Sequence, residues 1–448
     1  MKYSKITFLI ICLVLWLGIN FAFSQQSHQQ TLKQYLQVLH DQQGFSGEIL
    51  VAKKHQILFQ QAIGLSSQEL GTILHTGQKY RIASITKTFT GTLMALAQRA
   101  GKLKFSDRIV QYVPNLSSKF KEITLHQLLT HTSGLPHYEG IEDYWLKKSK
   151  YLSKPTEIIK ELNQLKLTFK PGSQMKYTSL GYYLLARALE KVYQAKYAKI
   201  LQQKILTPLK MSHSGAGSTL AILPNLVTDY HQLADSQLIK APYRNYALLK
   251  GSGDMYATAN DLLKWSLSFA NHQLLTPQAQ QLIFGHKQYG YGWFIGNSES
   301  SHYYHGGGTW GYSSYLAFYP TKQISIIILS NVSTLPVKEI GKFIEQIVFD
   351  RLVEIPLMQK ETPQKFDPTL YVGTFTSNSG KMTLKITSHN SKLYAQLANR
   401  PKFQIYPKDV HQFFGKKAAV IFSFELKNER ITGLTAQRMG KKFHFNKQ

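Results

Sequence analysis

Cysteine is almost absent from this chain. Its single residue, Cys12, lies in an apolar stretch near the N-terminus of the 448 residues. Removal of that stretch would leave no thiol at all, which excludes disulfides, thiolate metal sites and a cysteine nucleophile. An oxidising compartment leaves such a chain untouched. Acidic residues are scarce as well: 25 Asp and Glu stand against 53 Lys and Arg, for a formal net charge of +28. Beyond the N-terminus there is no long apolar run and no sustained heptad, which excludes a polytopic membrane protein and a coiled coil. The spacing H-E-x-x-H does not occur, nor does the G-x-S-x-G elbow of α/β-hydrolases. Neither metal nor cofactor is therefore expected. Helix-turn-helix, zinc-finger and RNA-binding motifs are also missing, so no nucleic-acid partner is expected. The excess positive charge fits an anionic cell-envelope surface better.

What is present describes a folded, exported protein. Hydrophobic residues make up 43% of the chain and aromatics include 24 Phe and 26 Tyr, too many for disorder. The length suits two or three domains. Lys2 and Lys5 precede an apolar segment from Ile6 to Phe23, and Ala22-Phe23-Ser24 offers small residues for cleavage before Gln25. Residues 1–24 read as a secretory signal peptide. The rival is an uncleaved anchor over residues 6–23. In either case the body is exported, to the periplasm or the medium.

Patterning divides the rest. A helical pattern runs through Leu32, Tyr35, Leu36 and Leu39. Gly47–Ala52 and Gln56–Phe59 read as a β-hairpin around Lys53-Lys54-His55. A long helix is expected from Ser84 to about Arg99, stopped by Gly101, with others over 156–168, 179–193, 259–271 and 337–352. Tyr315–Phe318 and Ile324–Leu329 form a late strand pair. A first domain over residues 25–355 is followed by a linker at 356–368. Residues 369–448 then show six short strand-like runs about ten residues apart, the texture of a small all-β barrel or sandwich. From Glu361 onward the tail carries 15 Lys and Arg against 5 Asp and Glu.

The candidate chemistry starts at Ser84 and Lys87. Positions three apart on a helix share a face, so the lysine amine can reach the serine hydroxyl. A dry site lowers a lysine pKa and supplies a neutral base. Spacing alone is weak evidence, because Ser118–Lys121 and Ser173–Lys176 match it too. Ser84 differs in standing at the head of the longest expected helix. Tyr177-Thr178-Ser179 follows the turn Lys170–Ser173, where a tyrosine can act as an acid or base, or simply be half-buried core. His305-Gly306-Gly307-Gly308 precedes a strand, and its glycines let a ligand or another backbone approach closely.

Together these motifs resemble S-x-x-K, Y-x-N and [KH]-x-G of the serine β-lactamase and penicillin-binding protein superfamily. The nearest branch holds class C β-lactamases, D-Ala-D-Ala carboxypeptidases, D-aminopeptidases and esterases. Leu128–Pro136, Phe169–Gly172, Gly251–Gly253 and Tyr289–Trp293 also resemble segments of that family, in order. The resemblance implies an α+β fold, with an antiparallel sheet flanked by helices plus a helical subdomain. The tail resembles the lipocalin-like β-domain that follows such hydrolases. By resemblance Ser84 is the acylated nucleophile, and Lys87 and Tyr177 carry its proton. The backbone N–H groups of Ser84 and Gly308 form the oxyanion hole, with Gly307 in the same motif. His305 stands near a substrate carboxylate, and Ser179 takes a position that is usually asparagine. His131 and Ser133 fall in a segment that is structural in the family.

Two departures qualify the activity. Ser179 cannot supply an amide donor and a carbonyl acceptor together, and His305 replaces the fixed charge of lysine with a titrating one. The expected function is acyl-serine hydrolysis of an amide or peptide bond in a short, D-residue-containing, cell-wall-type substrate. Ester hydrolysis and β-lactam hydrolysis are the alternatives within the family. A catalytically idle penicillin-binding sensor or scaffold is the alternative of another class. No motif specifies an oligomeric state.

Overall fold

The computed structural model describes residues 28–351 and 366–448, apart from short interruptions at 153, 218, 234–236, 298–300, 334, 379, 381, 399–401, 416–419 and 439–440. The leader at 1–24 and most of the expected linker lie outside the described residues. Among those described, no helix is long and apolar enough to cross a membrane. The chain forms two compact units: Ser46–His231 with Lys240–Glu345, and Met1–Phe45 with Gln232–Ile239 and Gln346–Gln448.

The larger unit is built on a six-stranded sheet. Its strands are β1 (Gly47–Lys53), β2 (Gln56–Ile63), β3 (Phe294–Asn297), β4 (Ser301–Thr309), β5 (Tyr312–Tyr319) and β6 (Ile324–Ser330). The order across the sheet is β3-β4-β5-β6-β1-β2, and every pairing is antiparallel. β5 and β6 are buried at every residue, so their apolar runs show no polar alternation. The expected hairpin turns at Lys54, whose positive φ of 55° suits a tight two-residue loop. β1 pairs with β6, which lies far away in sequence, and so joins the start of the unit to its end.

Helix α1 (Thr86–Arg99) is buried along most of its length. Its threonines are tolerated there because they are hydrogen-bonded: Thr90 Oγ1 donates to Gly251 O at 2.6 Å, and Trp265 Nε1 donates to Thr88 Oγ1 at 3.0 Å. Phe89 stacks on Trp265 with ring centroids 4.1 Å apart. The helix stops as the sequence predicts, at Gly101 with φ 67°, where Lys102 N–H reaches back to Ala97 O. Helices α2 (Ser179–Tyr193) and α3 (Ala259–Ala270) begin at Thr178 and Thr258, whose hydroxyls accept from Leu180 N and Asp261 N. The helix expected over 156–168 is shorter, Pro155–Gln164, because the chain turns extended at Leu165. One core joins these helices to the sheet.

In the smaller unit, a helix over 28–43 buries Leu32, Tyr35, Leu36 and Leu39. The tail closes into an eight-stranded barrel of Gly373–Ser377, Thr383–His389, Lys392–Leu397, Phe403–Asp409, Gln412–Gly415, Val420–Lys427, Arg430–Arg438 and Lys441–Lys447. Six strands match the sequence reading. Gln412–Gly415 is very short. In Lys441–Lys447 only Phe445 is buried among the described side chains, so the alternation is too sparse to read. Phe375, Leu384, Ile386, Leu393 and Leu434 fill the barrel core.

Candidate active site

Ser84 lies in a single 3-10 turn, Ala83–Ile85, which runs directly into α1. Ala83 before it has φ 45°, the left-handed region that non-glycine residues rarely adopt. The expected single helix from Ser84 is thus a tight turn followed by an α-helix. Lys87, in the first α-helical turn, is wholly buried.

The Lys87 amine has three oxygen neighbours. Nζ lies 3.0 Å from Ser84 Oγ, 3.0 Å from Ser179 Oγ and 2.8 Å from Ser252 O. It also stands 5.0 Å from the centre of the Tyr177 ring. Burial holds its pKa well below the ordinary 10.5. Burial drives the Tyr177 phenol the other way, above its ordinary 10, and hydrogen bonds with Ser84 and Ser179 only partly oppose that. The two decoy pairs, Ser118–Lys121 and Ser173–Lys176, are exposed.

The glycine strand closes the other wall. Gly307 passes so near the turn that carries Ser84 that a Cβ there would come within 3.0 Å of both Ile82 O and Ser314 Oγ. Only glycine lets β4 lie against that turn. Gly308 is exposed and lines the same cavity as Ser84, Tyr177 and Ser179. Behind α1, Gly292 allows the Tyr289–Trp293 loop to rest on the backbone of Lys87.

His305 does not line this cavity. Residues two apart on a strand share a face, and His305 points the same way as the missing Cβ of Gly307, into the protein. Nδ1 donates to Gly306 O at 2.6 Å, and Nε2 accepts from Tyr289 OH at 3.2 Å. Burial first, and the nearby Lys87 second, depress its pKa to about 3. Its ring lies 6.0 Å from that of Tyr177. The structure thus places a neutral imidazole behind Tyr177, away from the position beside a substrate carboxylate that the resemblance implies.

His131 likewise packs against Tyr177, with ring centroids 4.4 Å apart, and its Nδ1 accepts from Thr178 N–H at 3.2 Å. It supports the tyrosine turn, in keeping with a structural segment. Ser133 is buried, and its hydroxyl accepts from Leu135 N at 3.4 Å.

Three contributors escape sequence reasoning. Ser252 acts through its carbonyl, which no side-chain motif announces, although Gly251–Gly253 marks the segment. Asp254 steadies that loop: Oδ1 accepts from Gly251 N at 3.0 Å, and burial raises the carboxyl to about 7. Arg244 lines the cavity from an irregular segment with no motif at all. The cavity measures about 440 Å3, and its walls include Tyr138, Tyr144, Trp145 and Trp310. Among the described residues no group of His, Cys, Asp and Glu could hold a metal.

A serine beside a buried lysine and a half-buried tyrosine, set between an antiparallel sheet and a helical layer, defines an acyl-transfer architecture of the serine-hydrolase type. The chain belongs to the Beta-lactamase family, which it matches over residues 29–347. It is 24% identical over 435 residues to Penicillin-binding protein 4* of Bacillus subtilis (strain 168), covering 90% of this chain and 94% of that one. Among solved structures it resembles a penicillin binding protein from Bacillus halodurans, with TM-score 0.62, 25% identity and coverage of 70% of this chain and 98% of that one. It also shares the fold of a D-stereospecific amidohydrolase from Streptomyces sp., with TM-score 0.58, 21% identity and coverage of 70% and 94%. Members of this family are serine hydrolases, among them amidases, esterases and penicillin-binding proteins.

Proposed function

We propose that this protein is an exported serine hydrolase that cleaves amide or peptide bonds in short D-residue-containing substrates through an acyl-Ser84 intermediate. The observation that carries the reading is the set of three oxygens around Lys87 Nζ. Ser252 O can only accept, so it takes one N–H. Ser179 Oγ accepts a second. In a neutral amine the remaining position is a lone pair, and it faces the Ser84 hydroxyl.

The proton path follows. Lys87 takes the Ser84 proton as Oγ attacks the substrate carbonyl carbon, giving a tetrahedral oxyanion. N–H groups of Ser84 and Gly308 are the donors assigned to that oxyanion. Tyr177, held protonated by burial, donates to the departing amine and is reprotonated from Lys87. Collapse expels the amine and leaves the acyl ester on Ser84. Water then attacks that ester as its proton passes to Lys87, the acyl–Oγ bond breaks as the proton is handed on to Ser84 Oγ, and the acid is released.

The choice of a D-residue is supported by the likeness to a penicillin-binding protein and by the fold shared with a D-stereospecific amidohydrolase. Export rests on the leader at 1–24, and a secreted product beginning at Gln25 is the expected result of intact-mass analysis.

The reading is tested by time-resolved intact mass of the mature protein with a penicillin, using Ser84→Ala as control. A lasting adduct on the wild type alone supports it. Rapid loss of the drug without an adduct identifies a β-lactamase instead. An intact drug with no adduct, joined to no turnover of D-alanyl peptides, refutes the proposal.

A further inference from the structure

Arg244 is buried at 8% exposure, yet it reaches the wall of the cavity that holds Ser84. Its guanidinium carbon stands 4.4 Å above the Trp310 ring and 5.9 Å from the Trp145 ring. One terminal nitrogen donates to Trp145 O at 3.0 Å and to Ser149 Oγ at 2.6 Å. These contacts fix the plane of the fork before any ligand arrives. They are neutral contacts, and among the described residues Arg244 has no carboxylate partner.

A guanidinium does not shed its proton in proteins. Taking it out of water without a counter-charge is unfavourable, and π-face contact offsets that only in part. The buried Nε also has no hydrogen-bond partner. Among the described residues no Asp, Glu or second Arg lines the cavity. Lys87 is pushed toward its neutral form, and His305 is neutral and turned away. One fixed positive charge thus faces a chamber of aromatic walls, and it lacks an anion.

We propose that Arg244, held between Trp310 and Trp145, is the subsite that recognises a carboxylate on the substrate. The inference rests on the proposed acyl-serine reaction at Ser84 and adds the substrate's charge to it. It moves carboxylate recognition away from His305, which cannot reach the cavity as a cation. Trp310 follows Gly308 by two residues along the same segment, so the subsite begins where the oxyanion donor strand ends.

The test uses two peptides that differ in one group: diacetyl-lysyl-D-alanyl-D-alanine and its C-terminal amide. Binding to Ser84→Ala protein is followed by tryptophan fluorescence and calorimetry, and turnover is measured with the wild type. The acid is expected to bind at least tenfold more tightly than the amide. Adding Arg244→Gln should abolish that preference, mainly through KM in the active enzyme, while Arg244→Lys should restore part of it.

The acid preference and its loss in Arg244→Gln support the subsite even if neither peptide is cleaved, in which case only the proposed reaction fails. Cleavage of both peptides at equal efficiency overturns the subsite and leaves the reaction standing. Equal losses for acid and amide in Arg244→Gln, unrescued by Arg244→Lys, make the residue structural and overturn the proposal. Absence of binding by either peptide overturns it as well.

Discussion

Gly307→Ala is the most direct test of how the site is built. Gly307 does not have positive φ, so its backbone conformation suits alanine and any effect is steric. The new methyl would come within 3.0 Å of Ile82 O and Ser314 Oγ, and 3.2 Å from Ala83 Cβ. Ile82 O is backbone and already accepts from Ser314 Oγ at 2.8 Å, so neither can swing aside freely. Relief requires the strand or the Ile82–Ala83 turn to retreat by a displacement on the order of 1 Å, which costs roughly 10²-fold when reacting groups lose alignment. Overpacking of this kind destabilises by about 1–3 kcal/mol. The expected result is a variant that folds, with a lower thermal midpoint and acylation slowed about 10²-fold. Acylation is read by stopped-flow with a chromogenic penicillin or ester, and folding by calorimetry. Acylation within twofold of wild type, in a protein of unchanged midpoint, would refute the argument that the glycine is required by the Ile82–Ala83 turn.

Three further outcomes follow from the same geometry. Lys87→Ala removes the proposed base and should slow formation of the acyl enzyme by roughly 10²–10⁴-fold; a loss of under tenfold by intact-mass kinetics would move the base elsewhere. Phe89→Ala removes a fully buried ring stacked on Trp265 and should cost about 3–5 kcal/mol in urea unfolding; a loss below about 1 kcal/mol is incompatible with that packing. His305 has a folded pKa of about 3 against an ordinary 6.5, so between those values the unfolded chain binds the extra proton and stability falls as pH is lowered. Asp254, raised to about 7, works in the opposite sense over part of that window. The comparison is therefore with His305→Asn, whose thermal midpoint should fall less steeply than wild type from pH 6.5 to 4; parallel curves would show that His305 is not held neutral.

Much of the fold was legible in local patterns. The hairpin at Lys54 and the Gly101 stop each follow from a turn or cap that local chemistry dictates. Ser84 stood out for a tertiary reason, since three Ser-x-x-Lys pairs exist and only Ser84 precedes a helix apolar enough to be buried. The barrel was legible as a texture, although two strands were lost. Lys441–Lys447 carries three lysines around one buried phenylalanine, and a barrel closed by hydrogen bonds to its neighbours does not need every strand to be apolar.

The part of the site that stayed hidden shares one cause. Sequence reports that His305 and Gly307 lie on one face of β4 and that Gly308 lies on the other, but not which face meets the cavity. That depends on the approach of the Ile82–Ala83 turn, which takes the space beside Gly307. Once the turn is there, His305 must be interior, and an interior imidazole between Tyr289 and Tyr177 is neutral. A neutral ring is unsuited to anchoring a carboxylate, and it packs behind the Tyr177 phenol. The fixed charge proposed to meet a substrate carboxylate then lies elsewhere on the cavity wall. Arg244 is brought there by Trp145 and Ser149, residues about a hundred positions earlier. A motif search across neighbouring residues has no access to that pairing.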